Sequence, residues 1–125
     1  MAASSVIEEK LPDGGANKVG GIIGYVATNN VTITNCKNYG TITGRELVGG
    51  ILGGGWTNIT YTNCENHGNI TATSSRAGGM SGEKFAVATF TNCTNTGTII
   101  AGGKEATANT GVADNYAGYL FGIEK

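Results

Sequence analysis

One phrase recurs three times along this chain: TNCKNYGTIT from Thr34, TNCENHGNIT from Thr62 and TNCTNTGTII from Thr91. The three cysteines it carries are 28 and 29 residues apart. A second phrase keeps the same step, with VGGIIG from Val19, VGGILG from Val48 and AGGMSG from Ala77. Two independent markers at one period identify a repeat architecture, in which each unit buries its apolar face only against its neighbours. A fourth, looser copy, YAGYLFG from Tyr116, follows an insertion around KEATANTGVADN and carries Phe121 where the second marker glycine would fall. It reads as a terminal unit.

Within each unit the apolar residues alternate with threonine, as in VTITNC, ITYTNC and ATFTNC, which is the period of a strand. With the GGIIG-type segment before it and the GTIT-type segment after it, each unit holds three short strands separated by glycine and asparagine turns. The expected fold is therefore all-β: a short, single-stranded parallel β-solenoid of about four coils, with coils starting near residues 19, 48, 77 and 116. Residues 18–125 form this domain, and residues 1–17 are an N-terminal cap or linker. Stacked coils lie ~4.8 Å apart, so one column of side chains fills the core. Its members are Val31, Ile59 and Ala88; Ile33, Tyr61 and Phe90; Cys36, Cys64 and Cys93; and Ile42, Ile70 and Ile99. Asn35, Asn63 and Asn92, and separately Asn38, Asn66 and Asn95, are expected to form amide ladders at the corners, with Gly40, Gly68 and Gly97 supplying turns.

The GIIG at Gly21 and GILG at Gly50, beside the TNC-N-G phrases, resemble the GLUG-type repeats of large secreted or surface-anchored bacterial proteins. Those include adhesin-like proteins and some IgA-cleaving proteases. The resemblance covers roughly residues 18–103; the third copy departs at Ser81, and the fourth departs further. It implies an extracellular or cell-surface location and an accessory, non-catalytic role. In the protease cases the chemistry belongs to a separate metallopeptidase domain, and no HExxH occurs in this sequence.

The chemistry-bearing residues point the same way. The formal net charge is -1, which offers no basic field for nucleic acid or anionic lipid. No apolar run approaches the ~20 residues that span a bilayer, and residues 1–10 lack the regions of a signal peptide. His67, the only histidine, occupies the variable position of N-x-G where Tyr39 and Thr96 stand in the other copies, and reads as a solvent-facing turn residue. The carboxylates are scattered, so no acid/base pair is expected, and no clustered oxygens suit calcium. Cysteines one coil apart stand in line and do not surround a tetrahedral metal, so three buried free thiols are expected, with no metal and no cofactor. GGILGGGW is followed by no GK[ST] and is not a phosphate loop. The sequons Asn30-Val31-Thr32, Asn58-Ile59-Thr60 and Asn69-Ile70-Thr71 follow from the threonine-rich repeat itself.

Three functions fit such a chain. The first is an adhesin-like binding module or spacer. Trp56, with Tyr39 and His67 one coil apart, would be its contact residues for a host or microbial glycan or surface protein. The second is head-to-tail self-association through open strand edges. The third is ice binding through a grid of Thr32, Thr34, Thr60, Thr62, Thr89 and Thr91, which resembles the faces of insect β-helical antifreeze proteins.

Overall fold

The computed structural model describes residues 2–3, 7–8, 18–26, 30–55, 58–84, 89–106, 117–118 and 120–124. Among them every regular element is a β-strand, and the strands lie in four stacked, almost wholly parallel sheets. Strands pair with their counterparts in the neighbouring repeats. Val31–Thr34, Ile59–Thr62 and Thr89–Thr91 form one sheet, and Ile23–Val26, Leu52–Gly55, Ser81–Lys84 and Phe121–Glu124 another. A third joins the two-residue strands Ala2–Ala3, Lys37–Asn38, Glu65–Asn66 and Thr94–Asn95. The fourth is built on Ile42–Gly49 and Ile70–Gly78, which Ile7–Glu8 and Val19–Gly20 extend on one side, Ile99–Ala101 and Ala117–Gly118 on the other.

The expected register holds: Ile33 pairs with Tyr61 and Tyr61 with Phe90, while Ile42 pairs with Ile70 and Ile70 with Ile99. Ile42, Ile70 and Ile99 are fully buried, and each such side chain contributes roughly 1.5–3 kcal/mol on leaving water. Ala88 lies outside the described residues. The first 17 residues contribute two strands, since Ala2–Ala3 pairs with Lys37–Asn38 and Ile7–Glu8 with Ile42–Thr43.

Several details differ from the sequence reading. The second repeat contributes four strand segments where three were expected, because Asn63 in the left-handed region (φ 55°) ends Ile59–Thr62 and a separate Glu65–Asn66 strand follows. The GTIT-type and VGG-type segments are halves of one strand, joined at a bulge between Ala72 and Ser75. That bulge takes up the extra residue separating the 28- and 29-residue periods. At this joint Leu47 (φ 51°) and Arg76 (φ 66°) adopt the left-handed conformation. Turns are otherwise supplied by Asn30, Asn35, Asn58, Asn63 and Asn92, all at positive φ. Gly40, Gly68 and Gly97 stand at bends, as expected, but without positive φ. Gly68 is required by close stacking, since a Cβ there would overlap the Gly40 carbonyl oxygen.

The core is two clusters, not one column. Val19, Ile42, Val48, Ile70, Ala72, Ala77 and Ile99 belong to one; Ile33, Cys36, Ile51, Leu52, Ile59, Tyr61, Cys64 and Met80 belong to the other. The expected ladder of Asn38, Asn66 and Asn95 forms, with Asn38 and Asn66 fully buried. Asn38 Nδ2 donates to Asn66 Oδ1 at 2.7 Å and Asn66 Nδ2 donates to Asn95 Oδ1 at 2.7 Å. Each Nδ2 also donates to the carbonyl two residues on, at Gly40, Gly68 or Gly97, at 2.8 Å. The second glycine of the VGG phrase makes room for this ladder, because a Cβ on Gly50 would lie 2.5 Å from Asn66 Oδ1.

The register also corrects the fourth copy. Ala77 pairs with Ala117, Gly78 with Gly118 and Ser81 with Phe121, so Phe121 replaces a serine and the marker-glycine position falls to Tyr119 in sequence. The Phe121 ring stacks on Phe90 (centroids 5.6 Å apart), and Phe90 stacks on Tyr61 (4.6 Å). The aromatic column is thus closed by a residue from a different sheet.

Ile70→Asp places a charge in the apolar core and is expected to cost several kcal/mol, comparable to the roughly 5–15 kcal/mol stability of a whole domain. Circular dichroism of that variant should show loss of the sheet signal. Asn66→Ala should cost about 2–4 kcal/mol by removing the acceptor of one Asn38 Nδ2 hydrogen and the donor to the Gly68 carbonyl. Asn63→Ala, on the surface, should cost about 1–2 kcal/mol for its left-handed backbone. Urea unfolding midpoints in the order wild type, Asn63→Ala, Asn66→Ala would confirm that the inner ladder matters more.

Candidate functional site

Among the described residues, a regular surface is the outer face of the Val31–Thr34, Ile59–Thr62 and Thr89–Thr91 sheet. The inward residues Ile33, Ile59 and Tyr61 fix the strand orientation, so the intervening threonines face outward. Thr32, Thr60 and Thr89 stand in one row across the sheet and Thr34, Thr62 and Thr91 in a second. Four are exposed, while Thr60 and Thr62, on the central strand, are half-buried between their neighbours. Thr89 Oγ1 lies 3.5 Å from Thr60 Oγ1.

Exposed asparagines border both sides of this grid. On one side Asn58 Nδ2 donates to Asn30 Oδ1 at 2.9 Å; on the other Asn92 Nδ2 donates to Asn63 Oδ1 at 3.2 Å. The Asn30–Asn58 pair was not anticipated from sequence, although the N-x-T phrase before each strand was visible as a sequon. A shallow hollow of about 310 Å³ lies along this border, lined by Asn30, Val31, Thr32, Asn58 and Thr60. The face therefore offers hydroxyls and carboxamides that can both donate and accept.

Of the three aromatic candidates, Trp56 lies outside the described residues. Tyr39 and His67 are brought together: their rings stack with centroids 5.0 Å apart and planes 12° from parallel. Tyr39 is half exposed. His67 is more engaged than a solvent-facing turn residue, since its Nδ1 lies 2.7 Å from Thr96 Oγ1 and its Nε2 lies 2.8 Å from Glu65 Oε1. Lys37 Nζ adds an ion pair to Glu65 Oε2 at 3.3 Å. The hydrogen bond from His67, followed by that from Lys37, holds the Glu65 carboxyl below the usual carboxylate range.

Glu65, His67 and Thr96 thus form a carboxylate–imidazole–hydroxyl line. A nucleophilic threonine would also need donors for an oxyanion. The adjoining backbone donors are already used: Thr96 N–H donates to the Asn66 carbonyl at 2.8 Å, and Gly97 N–H to Asn95 Oδ1 at 3.3 Å. Among the described residues this line works as a cross-repeat tie. The His67–Thr96 pairing follows the repeat alignment, whereas the turn of the His67 ring toward Glu65 is not encoded in the period.

The cysteines are free, with Cys36 and Cys64 buried and Cys93 half-buried at the end of its column. Cys64 Sγ donates to the Ile33 carbonyl at 3.4 Å, and Cys93 Sγ lies 3.5 Å from the Tyr61 carbonyl. Hydrogen bonding from the Cys64 thiol draws Cys93 below the ordinary thiol value, while the same contact and then burial push Cys64 up. Burial also raises Cys36. Among the described residues no group of three His, Cys, Asp or Glu side chains could hold a metal ion, and no helix is long and apolar enough to cross a membrane.

Alkylation with iodoacetamide in the folded state should modify Cys93 well before Cys36 and Cys64, read by peptide mass spectrometry. Because Glu65 is held below its unfolded pKa of about 4.3, its contribution is present above that pH and fades as the pH falls through the folded value. The stability difference between wild type and Glu65→Gln should therefore shrink below about pH 4, as measured by thermal unfolding across pH.

Compared with family models, curated proteins and solved structures, the chain matches none.

Proposed function

We propose that this chain is a parallel β-solenoid module of a bacterial extracellular or cell-surface protein, which presents a ligand-binding face and performs no catalysis. The observation that carries this reading is the six-threonine face bordered by asparagine pairs, with its 310 Å³ hollow at Asn30, Thr32, Asn58 and Thr60. Parallel pairing of equivalent strands across successive repeats is what a solenoid requires. The resemblance of the GIIG and GILG phrases to GLUG-type repeats supports the surface location. A host or microbial glycan is the ligand class that suits the face, because sugar hydroxyls pair with carboxamides and hydroxyls that both donate and accept. The half-exposed Tyr39 ring is an accessory stacking surface at the next sheet.

A second reading, ice binding, is favoured by one observation: the two threonine rows run in unbroken register over three strands. Such rows repeat hydroxyl and methyl groups at the ~4.8 Å strand spacing.

Binding to an array of mucin, host and microbial glycans tests the first reading, with Thr32→Ala/Thr60→Ala and Tyr39→Ala as controls. Saturable binding that falls by at least about tenfold in the threonine double variant, an effect near 1.4 kcal/mol, is expected. Retention of binding in that variant would move the site away from this face. No binding across the array would leave the spacer role, and thermal hysteresis with inhibition of ice recrystallisation would then decide for the second reading.

A further inference from the structure

The cysteine column is aligned by the same register as the strands on either side of it. Thr62 pairs with Thr91 just before Cys64 and Cys93, and Glu65 pairs with Thr94 just after. Each of these cysteines follows an asparagine in the left-handed conformation, Asn63 (φ 55°) or Asn92 (φ 52°), which ends the strand and gives both side chains one orientation. The sulfurs accordingly meet equivalent atoms. Cys64 Sγ lies 3.4 Å from the Ile33 carbonyl oxygen and 3.5 Å from that of Thr62, and Cys93 Sγ lies 3.5 Å from those of Tyr61 and Thr91. Ile33 pairs with Tyr61 as Thr62 does with Thr91, so the two sulfurs are displaced by one strand step, ~4.8 Å.

The two ends of the column differ. Cys36 and Cys64 are buried, and at the Cys36 end Ala2–Ala3 extends the stack by pairing with Lys37–Asn38. At the other end, among the described residues, no strand pairs beyond Thr89–Thr91 or Thr94–Asn95, and Cys93 is only half-buried. Solvent therefore reaches the column at Cys93. The surroundings are apolar: Ile33, Tyr61 and Cys64 belong to one core cluster, and Phe90 and Cys93 pack against it.

This arrangement selects one kind of ion. Tetrahedral zinc needs four ligands and hard cations need several oxygens, and among the described residues no group of three His, Cys, Asp or Glu side chains is gathered to supply them. Soft Cu(I) favours thiolates and is satisfied by two in line. A thiolate bond to a d10 ion is ~2.3 Å long, so two end to end span about 4.6 Å, close to the strand step. The in-line placement that rules out a tetrahedral ion is what a linear one requires.

We propose that Cys64 and Cys93 form a two-coordinate site for Cu(I), loaded from the solvent side of Cys93. On binding, each thiol passes its proton to solvent and each sulfur gives an electron pair to the ion; copper stays Cu(I) and no electron is transferred. The bound ion ties the second and third repeats together.

The test is anaerobic titration of the full, reduced chain with Cu(I) in competition with the chromogenic chelator bicinchoninate, together with X-ray absorption at the copper edge of the loaded protein. Wild type should take one ion per chain, keep the size-exclusion elution volume of the metal-free chain, and show two sulfur neighbours and no third. Cys93→Ala and Cys64→Ala should each weaken binding by more than about 100-fold, beyond what removal of an outer-shell partner costs. Cys36→Ala should bind as wild type does. If Cys64→Ala loses its sheet signal, Cys93→Ala, at the half-buried end, and the absorption spectrum decide. No competition by wild type, a third sulfur neighbour, undiminished affinity in folded Cys93→Ala or Cys64→Ala, loss of the ion in folded Cys36→Ala, or a copper-bridged dimer would each overturn the proposal.

Discussion

The carboxamide column of Asn38, Asn66 and Asn95 is the contact on which the rest of the structure depends. Asn38 and Asn66 are fully buried, and the ladder's spacing is the strand spacing, so each amide closes its bonds only when the repeats are in register. Burying such a group without partners costs more than its bonds return when made. Slippage by one residue would strand the amides and turn the alternating side chains to the wrong faces. Apolar packing supplies most of the stabilisation, but isoleucine columns tolerate exchange among similar residues. The ladder selects one register.

Much of this was legible in the sequence because in-register stacking turns periodicity directly into contact. Ile42, Ile70 and Ile99, or Thr32, Thr60 and Thr89, share a column for no other reason than their spacing. Depth was not legible. Asn38 and Asn35 look alike in the phrase TNCKN, yet one is buried and the other sits at a left-handed surface turn. The signal that could have separated them is the glycine doublet: Gly50 lacks a side chain because Asn66 lies against it. The terminal copy was misread for a related reason. Phe121 stacks on Phe90 from a different sheet, a contact that the repeat pattern of either phrase does not encode.

Surface chemistry here is collective. A single threonine or asparagine on a strand carries little information, but rows of them create a lattice whose geometry is set by the backbone. The same rule joins Tyr39 to His67 and His67 to Thr96 across repeats. Chemical groups in such a molecule are therefore arranged in rows set by the backbone.

The joint at Leu47 and Arg76 carries a further consequence. In the two central repeats a left-handed residue there lets the strand step sideways and continue. At the corresponding place in the first repeat the chain leaves after Ile7–Glu8 and returns at Val19–Gly20; in the last it leaves after Ile99–Ala101 and returns at Ala117–Gly118. One address in the repeat thus accepts either a single-residue step or a long excursion, while the strands on both sides keep their partners. Variation in length can accumulate at that seam without cost to the register, which makes it the natural graft point for new loops on this scaffold.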